Sequence, residues 1–409
     1  MALKVTNTIF ALNRIASLYN DSCEKRAIKK ECIELSKVLF GEMSVEYSDN
    51  LAFSAWDEYI SSPQKGINCL KQAIDIRKSL GLDNDVKTIE FLGWLSTMYF
   101  ATKQQEFALE TDLILYEKIK VFVKTNLFSL NVSEREKLWS LLQPILSGIS
   151  ANNNTMSPTR NKLIYNCLIL RKTLLLYSTN AINDAILKLN NQEALVLKKE
   201  ISKDNEKLKS MPSGDERLQV IEGINYKKRQ LLNKISSSEL ATEIVDIDWS
   251  DISNSLKYNE VAIEFFSYES HDCTNYVAAI LQKNLAPQII GLFNDKEIAH
   301  FLLEDNVYDY NNPEFYKVCW GILDKYVLGS KKTIYFSPDG VLNNIAIEYI
   351  TDSNDIRANE KWNLYRLSST RELLNTTAKD GNKNIVILYG GLNYTKKQIP
   401  EIEFDSTRQ

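Results

Sequence analysis

Two histidines and six cysteines are all that the chain offers for imidazole or thiol chemistry. Only one pair is close in sequence, in the run His271-Asp272-Cys273. A cysteine nucleophile needs a thiolate activated by a neighbouring imidazole. These three residues, however, fall between two alternating apolar runs, 261–268 and 276–282, where a hairpin turn is expected. Two residues apart in such a turn, a His and a Cys lack preorganisation and aligned oxyanion donors, so they read as solvated turn residues. His300 follows Ile298 in a helical stretch and reads as a packed or surface histidine. Cys319, beside Trp320, reads as a buried free thiol. The cysteines at 23, 32, 69, 167, 273 and 319 show no C-x-x-C spacing, so neither a structural zinc site nor a disulfide framework is expected. No catalytic, cofactor-binding or metal-ligating residue is assigned from these patterns.

Ser337 and Asp339 form a Ser-x-Asp unit at the end of the apolar run 333–336. Hydrolase chemistry there would need a paired His and a nucleophile elbow, and neither is present. Asp339 is expected to cap the turn through its side chain, and it could border a substrate subsite. Pro338 presets φ and Gly340 accepts φ > 0, so the chain can reverse sharply. Val341, Leu342, Ile345, Ile347, Tyr349 and Ile350 then form a packed apolar return. Gly390-Gly391 could let a ligand backbone approach, but no G-x-G-x-x-G or Walker pattern supports nucleotide binding.

These residues need a frame to hold them. Strands are expected over 261–268, 276–282, 288–292, 333–336 and 365–368. Helices are expected over 296–303 and 314–327, the second opened by Asn312-Pro313, and a further one begins near Thr370. The run IVILY, 385–389, is apolar on both faces, as a central parallel strand covered by helices requires. Residues 395–409 are polar and aperiodic, so the sheet is expected to lack its completing elements here.

The first hundred-odd residues repeat. Tyr19, Tyr59 and Tyr99 recur at a spacing of 40, as do Leu12, Ala52 and Leu92, and Gly41 and Gly81 close the first two units. Their paired helices resemble tetratricopeptide repeats of the kinesin-light-chain kind. Such a stack either presents a concave surface to a peptide or protein partner, which Lys71, Arg77 and Lys78 could line, or only packs on the adjoining region of the chain. From 133 to about 238 the pattern stays helical without the period. It includes the strongly apolar 165–178 and two amphipathic helices, 194–211 and 216–235, separated by Pro212-Ser213-Gly214.

At 409 residues and 44% apolar, the chain can build two or three cores. Its net charge of −4 gives no basic footprint for direct nucleic-acid binding. No apolar run reaches membrane-spanning length and no signal core opens the chain, so a reducing cytoplasm is expected.

The motifs taken together are more specific. VAIEFFSY at 261–268, TIYFSPDGVLNNIAIEYI at 333–350, YRLSST at 365–370 and NIVILYGGLNY at 384–394 occur in order, and RKTLLLYS precedes them at 171–178. Over residues 249–394 the chain resembles the CHAT family, caspase-like cysteine proteases often joined to tetratricopeptide repeats. The resemblance implies an α + α/β architecture: a repeat solenoid at 1–125, a helical connector at 126–240, and the N-terminal part of a caspase-like domain at 245–409. It also implies a catalytic His and Cys on later strands that this sequence does not contain. The chain alone is therefore expected to be proteolytically inert, its partners being a C-terminal segment carrying that dyad and a protein or peptide on the repeats. The competing expectation is a non-catalytic adaptor with a degenerate caspase-like module.

Overall fold

A computed structural model describes residues 12, 22–127, 130, 132–152, 157–188, 192–212, 214–232, 244–270, 272–304, 307–327 and 332–375. Tyr19, His271, the break at 236–238, the run 385–389 and Gly390-Gly391 lie outside the described residues. The described chain is mostly helical, with one mixed five-stranded sheet. Among the described residues no helix is long and apolar enough to cross a membrane.

The helical region opens with α1 (Ser22–Phe40), α2 (Val45–Ser61), α3 (Pro63–Ser79), α4 (Val86–Ala101) and α5 (Gln105–Asn126). Ser44 and Asp85 cap α2 and α4, each accepting a backbone N–H, and Pro63 starts α3. Small residues let the helices approach. A Cβ on Gly66 would lie 2.5 Å from the Ala55 carbonyl and 2.6 Å from Tyr59 Cβ. Ala52, Ala55, Ala73 and Ala108 are buried in the same core with Leu70, Phe91 and Met98.

The expected punctuation is present at Gly41 and Gly81, both at positive φ. Gly81 (φ +75°) ends α3 in a Schellman turn: Leu82 N–H donates to Arg77 O and Gly81 N–H to Lys78 O. One helix later, at the end of α4, the same pair of bonds runs from Gln104 to Tyr99 and from Lys103 to Phe100, but the left-handed position, φ +60°, is held by Lys103. Arg77 departs from its expected place. It is buried, donates to Asp49 (2.7 Å) and Thr88 (3.1 Å), pairs with Asp85, and lies over the Phe91 ring. It thus ties α2, α3 and α4 together and lines no groove, whereas Lys71 and Lys78 are exposed.

Helices α6 (Val132–Ala151) and α7 (Pro158–Lys188) follow, then the hairpin α8 (Gln192–Ser210) and α9 (Asp215–Leu232), broken as expected around Pro212 and Gly214. The stretch 163–170 of α7, LIYNCLIL, is apolar on nearly every side, which marks a helix segment buried on more than one face. Leu163, Cys167, Leu170 and Leu174 enter the core shared with α4, α5 and α6. Ile164, Tyr165, Leu168 and Ile169 pack on the sheet.

After α10 (Trp249–Ser255) come β1 (Glu260–Ser270), β2 (Cys273–Gln282) and β3 (Gln288–Asn294), then β4 (Thr333–Ser337) and β5 (Asn363–Arg366). The order is β3-β2-β1-β4-β5, antiparallel from β3 to β1 and parallel from β1 through β4 to β5. Alternation divides β1 between two cores. Val261, Ile263 and Phe265 face Phe315, Trp320 and Leu323, while Ala262 and Phe266 face α7.

Several expected elements differ. The helix at 296–303 is only α11, Asp295–Ala299, because the chain then turns and Leu302 bridges to Tyr308. The segment 314–327 starts at Pro313, as α12 (Pro313–Tyr316), and passes through a π turn, Lys317–Gly321, before α13 (Ile322–Val327). That widening accompanies Trp320, whose indole N–H donates to Ile347 O at 2.8 Å. The strand expected at 365–368 lies at Asn363–Arg366, and the helix near Thr370 is a 3₁₀ turn, Thr370–Asn375. In the return after Gly340, Leu342, Ile345, Ile347 and Ile350 are buried as expected, but Tyr349 is 51% exposed.

Lys103→Gly should raise stability by about 1 kcal/mol and Gly81→Ala should lower it by about as much, since each changes the fit of a side chain to a left-handed turn. Denaturant midpoints measured at unchanged slope will show both shifts.

Candidate functional site: the carboxyl edge of the parallel strands

In open sheets with parallel strands, sites form beyond the carboxyl ends of the strands. Here β4 and β5 end together, at Ser337 and Arg366, beside the middle of β1, which runs on to Ser270, and α7 crosses behind them. At the centre is Glu264, on the α7 face of β1 and in register with Ser337 of β4. Its side chain is fully buried, so the sequence VAIEFF places a carboxylate where only a paired one is tolerated.

Lys172 of α7 supplies the charge, with its ammonium 2.8 Å from Glu264 Oε2. Its three hydrogens have acceptors in Ser337 O (2.9 Å), Ser337 Oγ (2.8 Å) and Pro338 O (3.2 Å). The other carboxylate oxygen, Glu264 Oε1, accepts from Ser369 Oγ (2.8 Å), Thr370 N–H (2.6 Å) and Thr370 Oγ1 (2.7 Å). With the Thr370 hydroxyl proton committed there, Tyr165 of α7 donates to Thr370 Oγ1 at 2.8 Å. One carboxylate in the middle of β1 thus joins the end of β4 and the chain after β5 to α7.

The next residue on α7, Arg171, makes a second tie. It donates to Asp339 Oδ2 at 2.8 Å and to Ser147 of α6 at 3.0 Å. Asp339 also accepts from Ser267 N–H at 2.9 Å and Ser267 Oγ at 3.2 Å. Its role is therefore different from the expected local cap: it starts the 3₁₀ turn Gly340–Asn343 without a side-chain cap bond and reaches across to β1 and α7. Burial alone would raise the Asp339 carboxyl, but the Arg171 and Lys172 charges and the Ser267 N–H outweigh it and hold the group below the ordinary carboxylate range. Gly340 has φ +54°, and a Cβ there would lie 2.7 Å from Tyr276 Oη. That hydroxyl accepts the Val341 N–H at 3.1 Å. Arg366 completes the frame by gripping Glu348 with two 2.8 Å bonds and donating to Leu342 O and Ile345 O.

These ties border an open cleft of about 470 Å³, lined by Gln143 of α6, Arg171 and Lys172 of α7, and Asp339, Asn343 and Ser368 of the sheet edge. Its polar groups hold position and do not attack. Ser337 is inaccessible, its hydroxyl proton goes to Ser368 O at 2.8 Å, and its oxygen accepts from Lys172. A Ser–Lys nucleophile would need that proton directed at the lysine. Among the described residues no thiol or imidazole lines the cleft, and no group of His, Cys, Asp and Glu could hold a metal.

The His and Cys positions read from sequence do not converge here. Asp272 is exposed and Cys273 begins β2, at the hairpin end, paired in register with Ser270. His300 is exposed at the end of α11, and Cys319 is buried against the opposite face of the sheet, where desolvation pushes its thiol up. The residues that build the site, Arg171, Lys172 and Glu264, were not singled out from sequence. The signal was available, since each is a charge set inside an apolar run, RKTLLLYS or VAIEFFSY.

Lys172→Met should cost about 3–5 kcal/mol by stranding Glu264, while Lys172→Met with Glu264→Leu should recover most of that loss, as shown by denaturation of the two variants. For Asp339 the lowered folded value means its contribution is present above about pH 4 and fades as pH falls through that lowered value; Asp339→Asn should remove this part of the acid sensitivity in a stability–pH profile. No family model and no curated protein matches this chain, so the cleft stands on its own geometry.

Proposed function

We propose that this chain is the regulatory and N-terminal portion of a caspase-like cysteine protease of the CHAT type, with helical repeats that bind or sense a protein or peptide partner. The observation that carries the reading is the cleft at the carboxyl ends of β4 and β5, built against α6 and α7 and holding charges that position but, among the described residues, no nucleophile–base pair. In this reading a C-terminal segment supplies the catalytic His and Cys, and the thiolate attacks a peptide carbonyl with the imidazole as general base. A cytoplasmic setting fits Cys32, Cys69, Cys167, Cys273 and Cys319, all of them free. The context would be bacterial defence or regulated cell death, with the repeats keeping the protease inactive until a partner binds.

A second reading is favoured by one feature: the polar groups at the cleft are occupied by one another, as in a module kept for binding alone. The chain would then be a repeat-containing adaptor.

The two separate in one experiment. The chain is co-expressed with the product of the coding sequence downstream of residue 409, and cleavage of a candidate partner is assayed. The chain alone should be inert, the complex should cleave, and replacing the segment's cysteine by alanine should abolish cleavage. Partner binding with no proteolysis in the complex would overturn the protease reading in favour of the adaptor.

A further inference from the structure

The helix α7 is bolted at two places by buried charge, one facing the helical region and one facing the sheet. Near its start, Arg160 is 1% exposed and pairs with Asp112 of α5, itself 1% exposed. Asp112 also accepts from Ser96 of α4 and, at 3.4 Å, from Asn152 after α6. Four elements therefore meet at one carboxylate. About three turns further along α7, Arg171 and Lys172 hold the Asp339 turn and Glu264. From 160 to 171 the helix rises about 16 Å. Between the bolts both faces of α7 are packed, by Leu163, Cys167 and Leu170 on one side and Tyr165, Leu168 and Ile169 on the other.

A displacement of α5 against this helix has few outlets. Leaving Arg160 behind would strand a buried guanidinium, which is costly, and the packed faces resist sliding. At the sheet end Lys172 is enclosed by four oxygen contacts, whereas Arg171 is the softer tie, its partner Asp339 keeping 24% of its side chain accessible. The turn that Asp339 opens is the side of the cleft contributed by β4.

We propose that α7 is a strut through which the Asp112–Arg160 pair sets the order of the turn at 339–343, with Arg171 as the positioning residue that delivers it. The idea rests on the protease reading only for the importance of the cleft. Its experiment needs no proteolysis, so either can fail alone.

The test is native-state hydrogen exchange of the full chain, read by mass spectrometry. Arg171→Ala should speed exchange at Ser267 and across 339–343 by about tenfold, the loss of one charge-assisted hydrogen bond, and Arg171→Lys should restore part of the protection. Asp112→Asn should speed exchange at 339–343 by about threefold or more, leave α2 and α3 unchanged, and add nothing in the Arg171→Ala background. General loosening would instead raise exchange in α2 and α3 as well. Should Asp112→Asn fail to fold, Asp112→Leu with Arg160→Met removes the pair without stranding a charge. Unchanged exchange at 339–343 in the Asp112 variants, or effects that simply add in the double variant, would overturn the strut.

Discussion

The ion pair between Lys172 and Glu264 is the constraint on which the described architecture depends. A fully buried carboxylate faces an ammonium at the edge of the cleft, and the arrangement holds because all three ammonium hydrogens and Glu264 Oε1 have hydrogen-bond partners while Oε2 is left to the ammonium charge. Such a pair adds little net stability over a well-packed apolar core, but it tolerates very few geometries. A slip of β4 by one residue against β1 would remove Ser337 from the ammonium and flip the strand's apolar side chains to the wrong faces. The pair therefore fixes register, the placement of the chain after β5, and the angle at which α7 meets the sheet.

The cleft follows from that choice. Helix α7 contributes apolar residues to both the helical core and the sheet core, so the two are continuous through it. Where α7 passes the ends of β4 and β5 it presents Arg171 and Lys172, and the space between helix and sheet opens to solvent. The Pro338-Asp339-Gly340 turn is held there from three directions, by Ser267 on β1, Tyr276 on β2 and Arg171 on α7. A turn so anchored gives the cleft a fixed wall.

Much of this frame was legible in the residues. The β1–β2 hairpin, β3, β4 and the Gly340 reversal follow from alternation and turn chemistry, and the helix pairs follow from the recurrence of Leu12, Ala52 and Leu92 with Gly41 and Gly81. Local signals failed where a distant partner decided the outcome. Arg77 reads as part of a solvated face until Asp49 and Asp85 are brought around it. Asp339 has the look of a local cap, but its bonds go to residues 72 and 168 positions away. Lys172 and Glu264 carry no motif at all; their meaning lies in being charged within apolar runs, a demand for a partner that sequence spacing alone cannot name.

The long separation of those partners bears on how the molecule is made. Lys172 emerges from the ribosome well before Ser337, 165 residues later, and Tyr165 waits 205 residues for Thr370. The helical hairpins can condense as they appear, because their contacts are between neighbours. The sheet-facing flank of α7 cannot, and during synthesis it presents an oily surface with an unmatched ammonium in its midst. Maturation thus has a late, concerted closing step, and in that interval nascent chains are vulnerable to one another and dependent on chaperones.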